Sequence, residues 1–155
     1  MSKLRSIRLA IELATRQRDQ LAKNHAHALR NVDFAKSQLS QLVTYAGDTD
    51  GRWMNGGAAA LSAEMVRHHY QFVDRLQHAI AMQNGVIDNM NNQAGVAHKA
   101  LLQAEFRLSG LNQVLQAREA TLQAVHKRRE QHETDEFASQ RFLRARAAQT
   151  QGDIR

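Results

Sequence analysis

Residues 73–125 read VDRLQHAIAMQNGVIDNMNNQAGVAHKALLQAEFRLSGLNQVLQAREATLQAV. Alternating steps of three and four through this stretch select Val73, Leu76, Ile80, Gln83, Ile87, Met90, Ala94, Ala97, Leu101, Ala104, Leu108, Leu111, Leu115, Arg118, Leu122 and Val125. Fourteen of these sixteen positions are apolar, with Gln83 and Arg118 the exceptions. A 3.5-residue repeat held this long belongs to a left-handed supercoil rather than to a helix lying on a globule. Upstream, the same steps select Leu4, Ile7, Ile11, Ala14, Arg18, Leu21, His25, Ala28, Val32, Ala35, Leu39 and Leu42, ten of twelve apolar. Arg18 and His25 interrupt this second seam, and polar seam residues weaken a coiled coil while fixing its register.

Between the seams lies AGDTDGRWMNGG, residues 46–57. Gly47 suits the left-handed turn that closes a helix, and Asp, Asn and Gly suit the loop beyond it. A short connection makes the helices antiparallel neighbours. The fold class is therefore all-α, one coiled-coil hairpin with a second helix much longer than the first. Its expected parts are a helix over about 3–46, a loop over about 47–60, a helix over about 61–146 and a frayed tail over 147–155. With Leu42 set against Val73, Leu4 falls opposite Leu111. Leu115, Leu122 and Val125 then lack a partner within the chain, and an uncovered seam asks for a partner protein or self-association. The segment from Asn84 to Gly95 carries two interior glycines, each costing about 1 kcal/mol relative to alanine. The same pairing sets this stretch against the polar residues 24–27, as a soft patch or a hinge.

Composition agrees with a rod better than with a ball. Of 155 residues none is proline or cysteine, and only one is tryptophan and two are tyrosine. Without cysteine there is no disulfide framework and no thiolate chemistry. The basic start, MSKLRSIR, has no apolar run behind it and does not read as a secretory signal. No window approaches the ~18 consecutive apolar residues of a membrane span, so direct membrane insertion is not expected. The formal charge of +6 is concentrated at the chain ends: residues 1–46 hold eight Lys or Arg against three acids, and residues 126–155 hold seven against five. Basic residues are dispersed among acids rather than set in a dense stripe, which argues against nucleic acid.

Eight histidines are present, but none pairs with another at the i, i+4 spacing of a helical zinc site. No phosphate-cradling glycine loop and no nucleophile–base arrangement appears, and two helices offer no concave pocket for one. No cofactor, no metal and no catalytic residue is expected; the chain does not read as an enzyme.

Five stretches, in order, carry a resemblance: QLSQLVTY (38–45), HYQFVDRLQHAIAMQ (69–83), EFRL (105–108), VLQAR (114–118) and REQHETDEFASQR (129–141). Their order and spacing resemble the flagellar FliJ family over nearly the whole chain. That resemblance implies a cytoplasmic component of the flagellar type III protein-export apparatus, peripherally associated with the inner membrane and similar to the central stalk of rotary ATPases. Its implied partners are the hexameric export ATPase, the cytoplasmic domain of the export gate and the export chaperones. Gln38, Leu42, Tyr45, Phe72, Leu76 and Ala79 match positions the family associates with the gate, although Thr49 and Gln83 differ from its pattern. By analogy with rotary stalks, the basic, termini-bearing end is the one expected in the ring. Leu115, Arg118, Leu122, Val125, Arg129, Phe137, Arg141 and Phe142 are the expected ring contacts. The stalk protein of a virulence secretion system has a similar shape and task, and a structural coiled coil or a basic, nucleic-acid-binding one are the other readings.

Overall fold

The computed structural model describes residues 2–55 and 62–153. Two helices pack together: α1, Ser2–Asn55, and α2, Ala63–Asp153. At 1.5 Å per residue their contours are about 80 Å and about 135 Å. The chain divides into two compact units, one formed by residues 13–107 and the other by residues 1–12 with 108–155.

In the unit of residues 13–107 the seams meet as an antiparallel pair. The buried residues there are Ala14, Val32, Ala35, Leu76, Ile87, Ala94 and Ala104. Four of these seven are alanine, so the helices approach closely with little side-chain volume between them. Burial is therefore broad but shallow, and among the described residues no side chain falls below 2 % exposure. Arg18 occupies a seam position yet keeps its guanidinium out of it, with Nη2 at 2.9 Å from Asp19 Oδ1.

In the other unit Leu108 is buried, and Leu4, Ile7, Ile11, Leu111 and Leu115 are half-buried. Arg8 Nη2 meets Glu119 Oε1 at 3.1 Å. From Ala120 to Asp153 every residue of α2 is exposed.

Four sequence expectations change. The first helix does not stop at residue 46: it runs through Gly47 and Gly51 to Asn55, and neither glycine adopts a left-handed φ. The seam explains this, because its steps continue through Ala46, Thr49 and Trp53, all half-buried. Thr49 Oγ1 donates to the Tyr45 carbonyl at 2.8 Å, satisfying the hydroxyl inside the helix. Three further seam contacts outweigh two glycines at about 1 kcal/mol each. The expected loop thus shrinks, and residues 56–61, including Gly56 and Gly57, lie outside the described residues.

The start of α2 is fixed by Ser62, whose Oγ accepts from the Met65 N–H at 3.2 Å while its carbonyl accepts from Val66 at 3.1 Å. That is the geometry of an N-cap. At the other end the helix continues past 146 to Asp153 instead of fraying from 147; residues 154–155 lie outside the described residues.

The longer first helix also moves the register. His25 lies against His98, ring centroids 5.1 Å apart and planes tilted by 42°, rather than facing Met90. The stretch from Asn84 to Gly95 therefore does not face the polar residues 24–27, and its Ile87 and Ala94 are buried in a continuous helix. Finally, the seam shifts by one at its far end: Glu119 is half-buried and Arg118 exposed, because Glu119 has Arg8 to pair with. Leu115 is covered as well, so the uncovered seam begins at Leu122 and Val125.

Candidate functional site: two interaction surfaces

The first surface lies in the unit of residues 13–107, near the turn. Tyr45 and Phe72 come together edge to face, with centroids 6.0 Å apart and planes at 80°. They are 53 % and 38 % exposed, so the pair presents its rims to solvent. Gln83 lies at a seam position and points across it. Its Nε2 donates to the Ala35 carbonyl at 2.9 Å and to Gln38 Oε1 at 3.2 Å. Gln38, Gln41, Leu42, Tyr45 and Gln83 line a shallow groove of about 480 Å³. Five of the six positions matched to the gate thus have surface to offer: Gln38, Tyr45 and Phe72 are exposed, and Leu42 and Ala79 are half-buried. Leu76, at 9 % exposure, belongs to the core and acts through packing.

A second aromatic group lies beyond this surface, at residues the sequence pattern does not mark. Trp53 stacks on His69 with ring centroids 3.8 Å apart and planes at 4°, and Tyr70 lies edge-on to His69 at 6.0 Å. The signal was present, since Trp53 is one heptad beyond Ala46, but Gly47 read as a helix end and hid it.

The second surface is the lone part of α2. Leu122 and Val125 continue the apolar line past the end of α1, and Phe137, Phe142 and Leu143 stand exposed further on. Arg118, Arg129 and Arg141 are exposed too, whereas Leu115 is half-buried beside the start of α1. After Val125 the heptad steps select Arg129, His132, Glu136 and Ser139 before reaching Leu143, so this stretch has no continuous apolar seam for a conventional coiled-coil partner.

Among the described residues, no group of three or more His, Cys, Asp or Glu could hold a metal. Also among them, no helix is long and apolar enough to cross a membrane.

The family model described as Flagellar FliJ protein matches residues 4–147. The chain belongs to the FliJ family. The match spans both surfaces and nearly all of both helices. FliJ membership makes this a flagellar export-related, stalk-type component, from a family whose members are non-catalytic. No curated protein matches the chain, and no solved structure matches it.

Proposed function

We infer that this chain is the stalk of a flagellar export ATPase: a non-catalytic coiled coil that enters the hexameric ring, stimulates ATP hydrolysis, and contacts the cytoplasmic domain of the export gate. The observation that carries this is the run from Ala120 to Asp153, helical yet exposed at every residue. An isolated helix has little tertiary packing to hold it in water. Such an element gains order when a partner surrounds it. A ring lumen would do so on all sides, which a second seam would not. Arg118, Leu122, Val125, Arg129, Phe137, Arg141 and Phe142 then face the ring, and Leu115 supports the helix at the point of entry.

The gate surface is the Tyr45–Phe72 pair with Gln38, Leu42 and Ala79 around it, an aromatic anchor with a polar rim. Thr49 and Gln83, where the chain departs from the family pattern, are occupied with internal hydrogen bonds. The surface therefore rests on the aromatic pair. Export chaperones are a further partner class that family membership supports. The setting is the cytoplasmic face of the inner membrane.

The test is the ATPase rate of the cognate purified export ATPase, with and without this protein, joined to a pull-down of the pair. Stimulation and co-purification are expected. Substituting Arg129, Phe137, Arg141 and Phe142 by alanine should reduce stimulation several-fold with helicity unchanged; a full rate from that variant would remove the ring assignment.

A further inference from the structure

The exposed part of α2 carries a symmetric pattern. Around Phe137, acids stand four and seven residues before it, Glu133 and Glu130, and arginines four and seven residues after it, Arg141 and Arg144. At 100° per residue all five fall within about 40° of one line along the helix. All five are exposed. Glu130 Oε1 holds His126 Nε2 at 3.2 Å. Glu133, Arg141 and Arg144 form no ion pair with any described residue.

The geometry points to self-recognition: two copies of this chain pair antiparallel along this stripe, about a two-fold axis at Phe137. In that arrangement Phe137 meets Phe137 of the second copy. Glu133 meets the second copy's arginine at position 141, and Glu130 the one at 144. Two-fold symmetry repeats each contact, as an isologous interface requires, so two kinds of ion pair become four. A parallel, in-register pairing would set acid on acid and arginine on arginine, which is unfavourable. The same axis also brings Arg128 level with Arg146 of the second copy, but both lie about 180° from Phe137 and point away from the partner.

Exposed ion pairs are individually weak and screened by salt. The contact spans about four turns, far less than a standard stable interface. The dimer is therefore reversible, dependent on concentration and sensitive to salt. This inference does not rest on the export reading. If that reading also holds, the paired form covers Phe137 and Arg141 and is not the form that enters a ring.

The experiment is sedimentation of the full chain from about 1 μM to 1 mM at low salt and in about 1 M NaCl, where the Debye length is ~3 Å. A monomer–dimer equilibrium is expected, shifted at least tenfold toward monomer by the high salt. E130R/E133R and R141E/R144E should each weaken self-association about tenfold or more. Mixed, they should form a heterodimer, because one then carries only arginines on the stripe and the other only glutamates. The chain has no cysteine, so F137C gives an orientation test: on oxidation it should link to itself, whereas E130C should not. Circular dichroism checks that each variant stays helical. A wild-type chain monomeric throughout, a dimer that both charge variants keep, or efficient self-linking of E130C would each overturn the proposal.

Discussion

Gln83 stands among apolar neighbours with its amide committed across the seam, to a carbonyl that α1 already uses internally. Replacing it with leucine removes a half-buried donor, while the Ala35 carbonyl keeps its helix bond and the exposed Gln38 Oε1 turns to solvent. Gln83→Leu should raise the melting temperature by several degrees, and loosen register by removing a polar seam residue. Thermal melts by circular dichroism and a size-exclusion profile read both; a lower melting temperature would show that the hydrogen bonds outweigh added apolar burial. Gly85 and Gly95 make the converse case. A Cβ at either would meet nothing within 4 Å, and both sit inside a helix. Gly85→Ala and Gly95→Ala should each add about 1 kcal/mol to stability in chemical denaturation. If these glycines serve bending, that gain should come with lost export function in cells.

At the scale of the helices, stability is unequal along α2. Between residues 69 and 119 half-buried or buried positions recur every three or four residues, and from 120 to 153 there are none. Hydrogen exchange on the free protein should therefore be slow at Leu76, Ile87 and Leu108, and faster by orders of magnitude beyond about residue 126. Binding the ATPase should slow the second group alone. Uniform protection along α2 in the free chain would mean that something already covers the extension.

The seams were legible because a 3.5-residue repeat survives a few polar substitutions over fifty residues. The end of α1 was not, because Gly47, Asp48 and Asp50 are strong local signals and seam contacts through Trp53 are non-local. Register inherited that error, since each residue added to α1 moves the pairing of all the others. Spacing alone selects Arg118 as a seam residue. Glu119 replaces it because of Arg8, more than a hundred residues away. The surface near the turn was legible as Tyr45 and Phe72, while Trp53 and His69 were hidden by the misplaced turn.

For the whole molecule, the two surfaces lie in different units and should be separable by mutation. Tyr45→Ala with Phe72→Ala should weaken binding to the gate's cytoplasmic domain at least tenfold and leave ATPase stimulation intact. Truncation after residue 119 should do the reverse. A single variant that abolished both activities while remaining folded would argue for one continuous binding surface instead.

The stacked Trp53–His69 pair has a practical meaning. It is the chain's only tryptophan, held 3.8 Å from an imidazole near the turn. Its fluorescence is thus a local reporter, set by one ring and blind to events at the termini. Heating the protein while following both emission and ellipticity compares one end of the hairpin with the average of the whole. Superimposed curves would mean that the hairpin melts as a unit. An ellipticity loss that precedes any change in emission and exceeds the share of the exposed extension, residues 120–153, would mean that the hairpin unzips toward Trp53, with that end the last part to let go.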